Sequence, residues 1–283
     1  MTSSSPLGLL LDVDGPLSST RTRTMRVPTL APDLTALAQA GCPVVFNTGR
    51  SADFLAERII PELVAQGLRA SDPVWGVGEK GATWFSLEER EGEVVVGEVR
   101  TDPAVTPAPA LIAAGREIAD RHADVVFFDE TKRSMISLEQ HVDVPSEVFL
   151  ARRPQIEQDA ATLLRRFGAA DEMSVYPTFI SVDVEHVDGG KALGARRALE
   201  LIAERMPVPH RWFTAGDSGQ DYDMARQLHE LGYDATHLDV RISGDDVAAP
   251  FRVIRERPTL EPGHAEDDIT ARHIRALRDE LGA

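Results

Sequence analysis

The sequence contains a single cysteine, Cys42, among 283 residues. A disulfide framework and a cysteine-built metal site are both excluded. Positive charge is also scarce: 30 Lys and Arg stand against 46 Asp and Glu, a formal net charge of -16. Such a balance repels polyanions, so nucleic acid and anionic membrane are excluded as natural partners. An anionic substrate would need a local cluster of cations, or a metal ion, to be held. The 8 histidines are scattered and show no metal-ligand spacing. Long apolar runs are missing too, with nothing near the ~20 residues of a membrane span. The opening "MTSSSPLGLLLDVDG" has no basic region, and its apolar run falls short of the roughly 7–15 residues of a secretory signal. A soluble, cytoplasmic protein is expected. Apolar residues make up 42%, an ordinary globular composition with room for one large domain or two modest ones.

What is present has a clear order. Leu7 to Leu11 reads as a strand apolar on both faces, as in a parallel sheet covered on both sides. "PTLAPDLTALAQAG" has helical period and closes on Gly41. "CPVVFNTGR" is a second buried strand, and "SADFLAERIIPELVAQG" a second helix with Ser51 as N-cap and a break at Pro61. "DPVWGVGEKG" supplies a third strand. From about Ala82 to His186 the strands alternate instead, as in a sheet wet on one side, with helical stretches over 107–122 and 145–167. "RSMISLEQHVD" and "TFISVDVEHVD" resemble each other, which hints at a duplicated helix–strand unit. After Lys191 the first texture returns. The expected architecture is α/β: a Rossmann-like parallel-sheet core (1–81 and 187–283) with an inserted α+β cap domain (82–186).

Several strands of the parallel part end on polar residues. The first ends on Asp12-Val13-Asp14-Gly15, the second on Asn47-Thr48-Gly49-Arg50, and "RWFTAG" on Asp217 with Asp221 four residues on. Lys191 opens a helix. In open α/β sheets ligands bind at the carboxyl ends of strands, so these residues are expected to meet. Asp12 and Asp14 point to one side of the chain. Four carboxylates in one crevice repel one another unless a cation sits among them. An oxygen-only donor set favours a hard ion, Mg²⁺ before Zn²⁺. Thr48, the Gly49 amide and Lys191 offer donors and a positive charge suited to phosphate oxygens. A carboxylate can attack phosphorus to give an aspartyl-phosphate, and a second carboxylate two residues on can act as acid and base.

"DVDGPL", "NTGR", "GGKALGARRAL" and "GDSGQDYDM", in that order, resemble the four motifs of the haloacid dehalogenase superfamily of phosphohydrolases. The insert resembles the α+β cap of the branch acting on sugar phosphates, which includes sucrose-phosphate, trehalose-phosphate and mannosyl-3-phosphoglycerate phosphatases and phosphomannomutases. The resemblance implies a Mg²⁺-dependent phosphatase of a small phosphorylated metabolite, most naturally a sugar phosphate. Asp12 would be the nucleophile and Asp14 the general acid and base. Thr48, Gly49 and Lys191 would hold the phosphoryl group. Asp217, with Asp12 and the backbone carbonyl of Asp14, would bind Mg²⁺, and Asp221 would hold its water shell or orient Lys191. "DETKRSMISL" resembles a cap stretch that touches the sugar, which makes Lys132, Arg133 and Ser134 candidates for specificity. Two positions depart from the family pattern: Pro16 stands where Thr is usual, and Lys80 where Asn is usual.

Other readings stay open at this stage. The same aspartyl-phosphate serves a phosphomutase, and a catalytically silent sugar-phosphate-binding protein would keep the pocket alone. Thr48 could cap the following helix, and Lys191 could be a solvated helix-start lysine. Arg50 could contact substrate or pair with a nearby acid. Arg21, Arg23 and Arg26 form either a flap that draws in anions or a solvated loop. Glu79 and Lys80 could be an internal ion pair. Oligomeric state leaves no trace in the sequence.

Overall fold

The structure is a computed structural model that describes residues 7–19 and 22–283. Its chain forms two compact units, one built from the residues up to Arg100 and from Gly190 onward, the other from Thr101–Gly189.

The first unit is organised by one large sheet in the order β13-β12-β11-β1-β2-β3-β4-β5. Its strands are β1 (Gly8–Leu11), β2 (Val44–Asn47), β3 (Val74–Gly78), β4 (Thr83–Arg90), β5 (Glu93–Val96), β11 (Arg211–Gly216), β12 (Asp234–Asp239) and β13 (Arg252–Arg255). A two-residue strand, β6 (Arg100–Thr101), joins β4. From β13 through β3 every pairing is parallel, and β4 and β5 add antiparallel strands at one edge. The helices are α1 (Leu30–Gln39), α2 (Ala52–Arg58), α3 (Ile60–Val64), α6 (Lys191–Ala203), α7 (Tyr222–Glu230) and α8 (Glu266–Leu281).

Strand β1 shows why the apolar run forms a central strand. Leu9 and Leu11 enter one core with Val44, Phe46, Leu34 and Ile274. Leu10 points the other way, into a core with Val45, Trp75, Ala195, Trp212 and Met224. Each such side chain contributes roughly 2 kcal/mol on burial, so this run can be stable only with both faces covered. Asp12 and Asp14 continue the alternation past the strand's end. Ser51 caps α2 by accepting from the Phe54 amide at 3.2 Å, and the helix breaks at Ile59 just before Pro61.

Residues 82–100, expected within the insert, lie instead in the first unit. The alternating texture from about Ala82 does not mark the insert here: β4 pairs antiparallel with β3 at the margin of the large sheet, where burial alternates residue by residue, and β5 pairs with β4. The second unit is a four-stranded antiparallel sheet in the order β7-β8-β10-β9. It comprises α4 (Pro109–Arg121), β7 (Val126–Phe128), β8 (Ile136–Gln140), α5 (Ser146–Phe167), β9 (Met173–Pro177) and β10 (Ser181–His186). Ile136, Leu138, Val182 and Val184 pack under both helices, whereas Ser137 and Asp183 lie on the other face, bonded at 2.6 Å. The two similar segments are β8 and β10, antiparallel neighbours at the sheet's centre, each preceded by a helix and a strand. Among the described residues no helix is long and apolar enough to cross a membrane.

Candidate active site

Parallel pairing brings the first and second motifs together. Leu11 lies level with Phe46 and with Ala215, so Asp12 emerges beside Asn47 and Gly216. Carboxylate oxygens of Asp12, Asp217 and Asp221 lie within 4.8 Å of one another. Lys191, at the first position of α6, reaches Asp12 Oδ1 at 2.6 Å and Asp221 Oδ1 at 2.8 Å. Its ammonium also donates to the Asn47 carbonyl at 2.7 Å. Lys191 is therefore neither solvated nor a helix-start ornament.

The electrostatics follow from this crowding. Burial pushes the Asp12 carboxyl up to about 7, with Lys191 pulling against it and Asp221 adding to it. Burial, then repulsion from Asp12 and Asp221, pushes Asp217 up to about 8. Burial works against the charge on Lys191, but attraction to Asp12 and Asp221 outweighs it and raises its pKa. A compact set of oxygen donors whose members resist joint ionisation fits a hard divalent cation. Asp12 and Asp217 are the residues placed to hold one. Asp221 is more committed: its Oδ2 accepts from the Ser218 amide at 2.9 Å and hydroxyl at 2.7 Å, and its Oδ1 faces Lys191.

Asp14 lies outside that cluster. Both of its oxygens accept from Arg50, Oδ2 from Nε at 2.8 Å and Oδ1 from Nη2 at 3.3 Å. Arg50 is thus the partner of an acid, and its guanidinium also lies over the Phe54 ring. Gly15 takes φ +85, and a Cβ there would stand 2.4 Å from Asp217 Oδ2, so only glycine lets the first motif approach the fourth. Pro16 does no local damage. The turn it occupies is closed by other amides, Leu17 and Ser18 onto the Val13 carbonyl at 3.1 and 2.8 Å and Gly15 onto Ser18 at 2.9 Å.

Thr48 is buried, and its hydroxyl accepts from the Arg50 amide at 3.1 Å; the cap of α2 is Ser51, not Thr48. Gly49 follows it, alongside the Lys80 side chain. Lys132, Arg133 and Ser134 sit in the turn between β7 and β8 of the second unit, where Ser134 is buried and accepts from Thr106 Oγ1 at 3.0 Å. Arg26 is tied to the start of α8 through Asp267 and Asp268, at 2.6 and 2.7 Å, so it is no free flap. Arg21 lies outside the described residues. Sequence reasoning gave Asn47 no role beyond a polar strand end and passed over Ser218. Asn47 Nδ2 donates to the Lys191 carbonyl at 3.1 Å, so this pair of residues is bonded in both directions. The signal was available: Asn47 ends an apolar strand on a polar side chain, as Asp12 does.

No protein-family model matches the sequence, and no curated protein matches it. Solved structures do match by shape. The C-terminal domain of trehalose-6-phosphate phosphatase from C. albicans superposes with a TM-score of 0.63 at 13% identity, covering 96% of this chain and 94% of that one. IMP-nucleotidase from Plasmodium falciparum gives 0.56 at 12% identity, covering 96% and 67%. A phosphatase of the haloalkanoate (HAD) superfamily from Bacteroides thetaiotaomicron gives 0.55 at 17% identity, covering 99% and 97%. The chain shares the fold of these three structures. The α/β core and its second, α+β unit are both included in these matches, since nearly the whole chain is covered in each.

Proposed function

We propose that this protein is a metal-dependent phosphomonoesterase acting on a small phosphorylated metabolite, most naturally a sugar phosphate, through an aspartyl-phosphate on Asp12. The observation that carries the reading is the cluster of Asp12, Asp217 and Asp221 around the ammonium of Lys191 at the carboxyl ends of β1 and β11. A structural ion pair needs one acid and one base. Here buried carboxylates outnumber the cation among them, as suits a site that awaits positive charge.

In this reading an Asp12 oxygen attacks phosphorus and the bond from phosphorus to the ester oxygen breaks. Asp14, protonated, gives its proton to the departing oxygen. Water then attacks the aspartyl-phosphate, Asp14 takes the proton, and phosphate leaves with Asp12 restored. Asp14 accepts two bonds from Arg50, so Arg50 must yield at least one before Asp14 carries a proton. Lys191 and Thr48 bind the peripheral oxygens. A divalent cation, Mg²⁺ by donor chemistry, would be held by Asp12, Asp217 and the Asp14 carbonyl and would offset the charge of the phosphoryl group and of the acids. The resemblance to sugar-phosphate enzymes assigns Lys132, Arg133 and Ser134 to the sugar.

The test is phosphate release from a panel of phosphorylated metabolites and an aryl phosphate, with Mg²⁺ or with a chelator. Release that depends on Mg²⁺ and disappears in Asp12→Asn is expected. Undiminished turnover in Asp12→Asn would refute the mechanism. Accumulation of an isomerised sugar phosphate in place of free phosphate would redirect it to a mutase.

A further inference from the structure

The turn that follows β3 has three successive positive φ values, +46 at Glu79, +55 at Lys80 and +99 at Gly81. Glycine adopts this region freely and asparagine at modest cost, whereas a lysine is strained in it. Strain of this kind persists where surrounding structure enforces it, and it gathers at functional sites. The enforcement is visible. The Glu79 amide donates to the Arg50 carbonyl at 2.9 Å and the Lys80 amide to the Thr48 carbonyl at 3.0 Å, while the Lys80 carbonyl accepts from Gly190 at 2.8 Å. Gly81 is wedged against α6, since a Cβ there would stand 2.6 Å from the Gly194 nitrogen. The turn thus fastens the Thr48–Arg50 segment to the start of the helix that carries Lys191.

Every one of those bonds is made by main-chain atoms, and the two at residue 80 use its amide and its carbonyl. Asparagine or glycine would make them with less strain, so the fastening does not account for a lysine. The side chain has a definite course: its Cε lies 3.7 Å, and its Cγ 3.9 Å, from where a Cβ on Gly49 would be. It runs along Gly49 beside the buried Thr48. Charge supplies the reason for a cation here. Lys191 is paired with Asp12 and Asp221, and Arg50 with Asp14. With Asp217, four acids face two cations, and a divalent ion brings the set only to neutrality. A phosphoryl dianion entering such a site still lacks a counter-charge.

We propose that Lys80 is a phosphate-binding residue of this site, its ammonium delivered along Gly49 to balance a dianionic phosphomonoester. The proposal rests on the phosphatase reading above. A charge-assisted contact of this kind corresponds to roughly tenfold or more in affinity.

Binding of orthophosphate is measured by calorimetry on the whole protein with Mg²⁺, beside steady-state hydrolysis of an aryl phosphate. Lys80→Asn and Lys80→Met are expected to weaken orthophosphate binding and raise KM about tenfold or more, with kcat changed much less, and Lys80→Arg to stay within about threefold of the wild type. The melting temperature of Lys80→Asn is expected to hold or rise, because asparagine relieves the turn. A Lys80→Asn protein that binds orthophosphate as the wild type does, or that only loses stability, overturns the assignment of Lys80 alone. A wild-type protein that neither binds orthophosphate nor releases it from any ester overturns the phosphatase reading, and this assignment with it.

Discussion

Two buried acidic clusters lie at neighbouring strand ends of the large sheet, and they have opposite characters. At the ends of β1 and β11, Asp12 and Asp217 are pushed up to about 7 and 8, mainly by burial in each other's company. At the end of β12, burial also acts against Asp239, yet its carboxyl is held down at about 2. The difference is the partners. Asp239 accepts from the Arg241 amide at 3.0 Å and from its guanidinium at 3.0 and 2.9 Å, from Tyr222 at 2.8 Å, and from Arg257 at 3.3 Å. The second cluster is complete in itself and holds a structure together. The first holds more acid than its own cation offsets, which is the character the proposed function requires.

The sharpest way to break this contrast is to remove one acid from each. Asp12→Asn should lower phosphomonoesterase turnover by about 10³-fold or more, while the melting temperature stays level or rises, because one like charge leaves a crowd. Asp239→Asn should do the reverse. It leaves Arg241 under-compensated in a buried place and takes one of two acidic partners from the half-buried Arg257, at a cost of about 3 kcal/mol, with turnover per folded molecule nearly unchanged. Chemical denaturation and active-site-normalised kinetics on both variants check this. Loss of stability in Asp12→Asn equal to that in Asp239→Asn would erase the distinction.

Added metal sharpens it further. A carboxyl whose pKa is raised on folding contributes stability that is fully present below its unfolded value and lost as pH rises through the folded one. Without metal, Asp12 and Asp217 should therefore erode stability as pH climbs through 7 and 8. Mg²⁺ binds the ionised forms, so it should raise the melting temperature by several degrees at pH 8.5 and hardly at pH 5.5; saturation a hundredfold over Kd is worth about 2.7 kcal/mol. Thermal scans with Mg²⁺ and with chelator at the two pH values decide it, and an equal shift at both would show that these acids are not the ligands.

The two clusters also differ in how legible they were. Asp12, Asp14, Thr48, Lys191, Asp217 and Asp221 stand in short motifs in a fixed order, each ending an apolar strand or opening a helix, so the periodicity around them marks them. Asp239 closes a strand in the same way, with Arg241 two residues on, but its other partners, Tyr222 and Arg257, become neighbours only when β11 and β13 align on either side of β12. Asn47 was visible as a polar strand end, yet its bond to the Lys191 carbonyl spans 144 positions of sequence. The parallel strands were readable because burial on both faces demands continuous apolar runs. β7 and β9 were not: "VFF" and "MSVYP" are too short to show a period. The alternation of β4 reported an antiparallel margin, which a sequence pattern cannot separate from an inserted sheet.

The smallest expected effect probes the floor between the clusters. His237 is fully buried, with its Nδ1 2.7 Å from Thr214 Oγ1 and its ring 4.4 Å from that of Tyr222. Burial holds its pKa down at about 4, against the attraction of Asp221 and Asp239. A histidine depressed on folding contributes stability present above its unfolded value near 6.5, and that stability is lost as pH falls through 4, because the unfolded chain takes up the proton first. At most about 3 kcal/mol is at stake. The carboxyls of the open cluster change stability in the opposite sense over part of the same range, so the raw acid profile of the wild type mixes the two. The difference between the wild type and His237→Gln isolates the histidine. Its advantage over glutamine, from urea unfolding at pH 7 and again at pH 4.5, should shrink by about 2 kcal/mol. An advantage that stays constant between those pH values would mean that His237 carries its proton in both states, and that the floor beneath the acids is wetter than its burial indicates.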